Sequence, residues 1–216
     1  MSPAGPILKH TFLLIPIHGF TRSALSLSVL HLPNPHPQPL SDSAINALFG
    51  EGDDARRTLV EGWLEDKRVE MGKRVSGTGR EKPTVKETLR ARLDANTPVL
   101  KHLPEAFALL ASPRYGLPPL DPRPGLKHAF AVADEACRIA GDTTIGTAWY
   151  ARRGSLTAIY SAAELHQLTS PHTAPAFLDH LLDVSSATKS TVDDAATYAN
   201  YIGRSWAGII RSSGIF

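Results

Sequence analysis

Apolar side chains recur at helical spacing along most of the chain, and the stretch around which the rest is organised lies late in it. From Gly141 to Leu168 the sequence reads GDTTIGTAWYARRGSLTAIYSAAELHQL, with no proline. Asp142, Thr143 and Thr144 suit the loop and cap ahead of a helix, which is predicted over 147–168. On a wheel of ~100° per residue, Trp149, Leu156, Ile159, Tyr160 and Ala163 share one side. Tyr150, Gly154, Ala158, Ala162 and Leu165 fill much of the other. A helix apolar on two sides packs between layers. Arg153, Thr157 and Glu164 remain as a narrow polar stripe. A charged stripe on an otherwise buried helix needs a partner, an anionic ligand or water. The pattern fits the centre of a helical bundle, or the wall of a pocket within one.

Other elements follow the same periodicity. A first helix is predicted from Pro6 to Ile17, apolar at Ile7, Leu8, Phe12, Leu14 and Ile15 and ended by Pro16 and Gly19. Thr21 caps a second, running to Leu30. Helix, glycine-containing turn, helix is the outline of a helix-turn-helix. A DNA-reading version needs a polar, basic recognition helix. Instead, Pro33, Pro35, Pro37 and Pro39 forbid a helix there, and no Lys or Arg occurs between Arg22 and Arg56. The phosphate contacts that dominate DNA affinity would lack donors.

Helices are predicted next over 43–49, capped by Ser41 or Asp42, and over 53–75, with Leu59, Trp63, Val69 and Met71 inward. Further ones cover 84–96, 98–110 (Val99, Leu100, Leu103, Phe107 and Leu110 inward), 126–140 and 176–184 (Phe177, Leu178, Leu181 and Leu182 inward). Charges of both signs fill 66–92 around Ser76-Gly77-Thr78-Gly79; they read as a solvated face or as a basic patch for anionic lipid. Ser190 opens a last helix with Val192, Ala195, Ala199, Ile202, Trp206, Ile209 and Ile210 on one face. Core docking, dimer packing and a membrane-surface helix would all use that face. No strand pattern emerges, so the chain reads as all-α with about ten helices.

Composition narrows the function classes. A length of 216 residues suits one large or two small domains, and 42% hydrophobic residues suffice for a core. A net charge of +2 argues against bulk nucleic acid as partner. The single cysteine, Cys137, excludes a disulfide framework within the chain and reads as a small core residue. No apolar run reaches the ~20 residues that span a bilayer. No acid precedes Asp42, an amino end like that of a mitochondrial transit peptide, although its helical pattern predicts that it folds. There are nine histidines but no HExxH, no repeated ExxH, no GxSxG and no GxGxxG, so no metal ligand or catalytic residue is assigned. Glu164 and His166 fall on different helix faces, and Asp179-His180 reads as solvent-facing.

GDTT, WYARR and LTAIYSAAEL, followed by Phe177-Leu178 and a closing amphipathic helix, resemble the carboxy-terminal domain of the Coq-nine family, the mitochondrial accessory proteins of coenzyme Q biosynthesis. ILKHTFLLIPIHGFTRSAL resembles that family's opening. The likeness covers most of the chain, and 141–165 is its specific part. It implies a TetR-like helical bundle, usually dimeric. A degenerate helix-turn-helix would occupy 1–50, a lipid-binding bundle 51–188 and an amphipathic helix 189–216. It also implies a protein without catalysis or cofactor, whose ligand is a phospholipid or isoprenoid quinone. Such a protein sits on the matrix face of the mitochondrial inner membrane. There it presents quinone intermediates to the di-iron demethoxyubiquinone hydroxylase of the ubiquinone synthesis complex.

By position, the resemblance implies that Arg153 contacts a lipid headgroup and that Leu156, Ile159, Tyr160 and Ala163 line the pocket. Asp142, Trp149, Tyr150 and Arg152 would meet the hydroxylase. Ile202, Trp206, Ile209, Ile210 and Arg211 would touch the membrane. The wheel and the resemblance differ at Trp149, which is core by the first and exposed by the second. The sequence departs from the family at Gly146, where an acid is common, and at Leu168-Thr169-Ser170-Pro171, where an acidic turn is usual. The Pro33–Pro39 segment is unusual as well. The alternative function is a TetR-type ligand-responsive transcriptional regulator, which a continuous basic recognition helix would mark. An enzyme is disfavoured, since no catalytic constellation is present.

Overall fold

The computed structural model describes residues 4–75, 82–113 and 120–187. Among them are nine α-helices and no strand: α1 (Ala4–His18), α2 (Arg22–Leu27), α3 (Asp42–Phe49), α4 (Asp53–Val75), α5 (Val85–Asp94), α6 (Leu103–Ala111), α7 (Arg123–Ile139), α8 (Thr147–Thr169) and α9 (Ala174–Ala187). Short 3-10 turns occupy Ser28–His31 and Thr97–His102. The all-α class is as the periodicity predicts. The predicted last helix, with Ile202, Trp206, Ile209, Ile210 and Arg211, lies outside the described residues.

Two helix starts follow the expected cap chemistry, whereas α8 is capped by Gly146 and not by Asp142, Thr143 or Thr144. The Thr21 hydroxyl accepts from the Ala24 N–H, and Ser41 accepts from Ala44 N–H. Thr84 and Glu87 form a reciprocal capping box at the start of α5. Proline decides two of the boundaries that differ from expectation. Pro16 does not end α1 but sits in its last turn, where losing one donor is tolerable; the helix stops at Gly19, with φ +67°. The single helix expected over 98–110 is split, because Pro104 is accommodated only in the first turn of a new helix, α6. In the helix-turn-helix region, α3 reads DSAINALF and carries no Lys or Arg.

Two apolar clusters share α4. The first gathers Ile15, Phe20, Leu25, Ile45, Leu59, Trp63, Leu103 and Phe107 from α1 to α4 and α6 with their connections. The second gathers Met71, Leu89, Leu93, Val132, Cys137, Ile159, Tyr160 and Leu178 from α4, α5 and α7 to α9. Thus α8 packs between α7 and α9, as its two apolar sides require. Cys137 is a buried core residue. Val69, expected inward, is exposed. It stands two residues, about 200° of helix turn, from Met71, and the buried side follows Leu59, Trp63, Leu64 and Met71.

Two charge assignments are corrected. Arg92 is no part of a solvated face: it is wholly buried. Leu89, Arg92, Leu93 and Asn96 stand at i, i+3, i+4 and i+7, so the same stripe that buries two leucines buries the guanidinium. Asp179 is not free in solvent either. The Arg90 Nε donates to its Oδ1 at 2.7 Å, and Lys86 Nζ lies 3.5 Å away. Its neighbour His180 is exposed.

Candidate functional site

The first turn of α8 is built by its cap. Gly146 holds φ +64° and ψ −140°, a region that L side chains disfavour. Backbone geometry therefore favours glycine where the resemblance leads one to expect an acid. Behind this turn Trp149 and Tyr150 project with ring centroids 4.8 Å apart. Phe130 of α7 lies 6.3 Å from Trp149. Tyr150 is 71% exposed and Ile145 is 84% exposed; Leu126 and Phe130 are exposed as well. Phe130, Trp149 and Tyr150 thus form an aromatic group that reaches solvent at the start of α8.

Trp149 is half-buried, which reconciles the two readings of it. One face of its indole covers the Arg153 guanidinium at 4.2 Å, and the rest belongs to the exposed corner. Beneath it, Arg153 is only 5% exposed. Its Nε donates to Asp134 Oδ1 at 2.6 Å and its Nη1 to Asp142 Oδ2 at 3.2 Å. Asp142 also accepts from the Thr144 N–H at 3.2 Å and the Thr144 hydroxyl at 2.8 Å. In this structure Arg153, expected at a lipid headgroup, is turned inward onto these carboxylates, and Asp142, expected at the hydroxylase, is its buried partner. Arg152 is half-exposed, and its Nε lies 3.7 Å from Asp142 Oδ2. Burial pushes the Asp142 carboxyl up, but the Thr144 hydrogen bonds and the two arginines outweigh it and hold the group below its ordinary range.

Leu156, Ile159, Tyr160 and Ala163 come together, as expected of one helix face, and all are buried in the second cluster. Beside them lies a polar network that sequence reading missed. The Tyr160 hydroxyl donates to Glu164 Oε1 at 2.7 Å, and Asn96 Nδ2 donates to the same oxygen at 3.1 Å. His128 Nε2 is 3.2 Å from Glu164 Oε2. Asn96 Nδ2 also donates to Gln167 Oε1 at 3.0 Å, and Gln167 Nε2 donates to the Leu93 carbonyl at 2.9 Å. Arg92 Nη1 donates to Asn96 Oδ1 at 2.6 Å. The signal was present: Arg92 and Asn96 share a stripe with two leucines, while Glu164 belongs to the polar stripe of α8.

Burial pushes Glu164 up, yet the His128 charge and hydrogen bond, the Arg92 charge and the Tyr160 hydroxyl together hold it down to about 2. Burial and the Glu164 charge push the Tyr160 phenol well above its usual value, against the pull of Arg92. Because the Glu164 carboxyl is lowered in the folded state, its contribution is full above the ordinary glutamate range and fades as pH falls from there toward 2. That contribution is roughly 3 kcal/mol. Unfolding measured from pH 6 down to pH 2 is expected to show an acid limb of this size.

Among the described residues, no group of three His, Cys, Asp or Glu is placed to hold a metal ion. No described helix is long and apolar enough to cross a membrane.

The COQ9 family matches residues 123–189, the stretch from the first residue of α7 to just beyond α9. The chain carries a COQ9 domain. The aromatic corner and the Arg153 cluster lie inside it, whereas Arg92 and Asn96 precede it. "Ubiquinone biosynthesis protein COQ9, mitochondrial" of Drosophila melanogaster is 27% identical over 159 residues, 71% of this chain and 45% of that protein. "Ubiquinone biosynthesis protein COQ9-A, mitochondrial" of Xenopus laevis is 35% identical over 107 residues, 48% of this chain and 30% of that protein. The Schizosaccharomyces pombe relative, also named a mitochondrial ubiquinone biosynthesis protein, is 27% identical over 135 residues, 61% of this chain and 52% of its own. The matched stretches therefore cover between 30% and 52% of these relatives. Similarity to the Drosophila and yeast proteins reaches well beyond the COQ9 domain into the rest of the chain.

Proposed function

We propose that this chain is a mitochondrial accessory protein of ubiquinone biosynthesis that binds isoprenoid quinone intermediates or phospholipid and performs no chemistry itself. Its COQ9 domain docks the corner of Trp149, Tyr150 and Arg152 on the di-iron demethoxyubiquinone hydroxylase. The interior faced by Leu156, Ile159, Tyr160 and Ala163 replaces the bilayer for the prenyl tail, so the ring reaches the enzyme without exposing the tail to water. The TetR-like homodimer and attachment to the matrix face of the inner membrane through Ile202, Trp206, Ile209, Ile210 and Arg211 belong to the same reading. A transcriptional role is not favoured, since α3 offers no cation to phosphate.

The exposed aromatic corner inside the COQ9 domain carries this reading. Aromatic anchors flanked by an arginine are the usual centres of binding energy at protein interfaces. Tyr150 is the cleaner probe, because Trp149 also covers Arg153. Tyr150→Ala is expected to weaken hydroxylase association at least tenfold with an unchanged melting temperature. Equal association of variant and wild type, measured by surface plasmon resonance against the purified hydroxylase, would remove this corner from the interface. Native mass spectrometry of the purified protein tests the lipid half directly: a co-purifying quinone or phospholipid is the expected result.

A further inference from the structure

Arg92 is 0% exposed, yet only part of its guanidinium is engaged. Nη1 donates to Asn96, whereas Nε and Nη2 have no hydrogen-bond partner. The nearest carboxylate oxygen, Glu164 Oε1, is 3.9 Å from Nη2, beyond hydrogen-bond reach. Elsewhere in the molecule the same edge is fully used. Arg90 sets Nε and Nη2 on Asp179, and Arg68 sets both on Glu65. A buried charged donor left unmatched bears its whole desolvation penalty. An Nε/Nη2 edge is also the geometry that grips paired or single oxygen acceptors. Arg92 lies where the two apolar clusters meet: the Trp63 ring of the first is 5.5 Å from its Cζ, and Tyr160 of the second shares its polar network.

We infer that the Nε/Nη2 edge of Arg92 is an interior anchor for the carbonyl oxygen of a neutral ring, of the benzoquinone class, at the seam between the two clusters. Local charge selects neutrality. Glu164 already supplies a buried carboxylate, and a phosphate would add a second anion out of water. Aromatic neighbours suit a ring: Trp63 lies 5.5 Å from the Arg92 Cζ, and Tyr160, paired with His128 at 6.0 Å, belongs to the same polar network. The site rests on the quinone-binding reading above and adds to it the residue that holds the head of the ligand.

Arg92→Lys keeps the charge and a donor for Asn96 but removes the forked edge. A short-tailed benzoquinone is titrated into the full chain, read by quenching of Trp63 with Trp149 and Trp206 replaced by Phe. Kd is expected to rise at least tenfold in Arg92→Lys. In the wild-type chain, the Arg92 Nε–Hε NMR signal is expected to shift with the quinone and not with inorganic phosphate; this measurement stands even if the variant folds poorly. Binding by wild type with an equal Kd in Arg92→Lys, or a stationary Arg92 signal, overturns the anchor alone and marks the edge as water-satisfied. A shift with phosphate overturns the neutral-ligand assignment. Failure of wild type to bind quinone at all overturns the quinone-binding reading with it.

Discussion

Arg153→Glu is expected to destabilise the fold by about 3–5 kcal/mol, the usual cost of breaking a buried ion pair by losing one partner. The substitution places a third carboxylate between Asp134 and Asp142 and removes the cation that Trp149 covers. Urea unfolding at neutral pH checks it. A melting temperature drop of about 10 °C would accompany such a loss in a chain of this size. A variant within 1 kcal/mol of wild type would mean that Arg153 is not the clamp joining α7 to the first turns of α8. Loss of hydroxylase association in this variant would report the lost clamp, whereas the same loss in Tyr150→Ala would report the surface itself.

Glu164→Gln is expected to cost a similar 3–5 kcal/mol at pH 7, because it neutralises the buried carboxylate in contact with His128 and Arg92 while keeping the side chain's shape. The pH dependence identifies the cause. The carboxylate is held down to about 2 in the folded chain, so the wild-type advantage is complete at neutral pH and shrinks as pH falls toward that value. Unfolding free energies of the two proteins are expected to converge near pH 2. Parallel profiles would assign the loss to packing and not to charge.

The two predictions concern residues of one helix face whose fates sequence reading left open. The α8 periodicity announced that Arg153 and Glu164 needed partners, but Asp134 of α7 and His128 of α7 come from a different helix. Their identity depends on the rotation of α7 against α8, which no local pattern encodes. Arg92 illustrates the converse. Its place in a run of mixed charges suggested water, while its register with Leu89, Leu93 and Asn96 put it inside. The register was the stronger signal, since burial follows the face of a helix and not the average charge of a segment.

Local chemistry, then, determined the all-α class, the cap at Thr21, a cap at Ser41 or Asp42, the span of α8 and the apolar face from Leu156 to Ala163. These follow from spacing and from side chains that act within a turn of their own backbone. Tertiary structure decided which charges are buried, that Asp142 pairs with Arg153, that Trp149 is at once lid and surface, and that Tyr150 is exposed beside it. Each of these depends on the packing of one helix against another, where a rotation of a few tens of degrees exchanges solvent for a carboxylate.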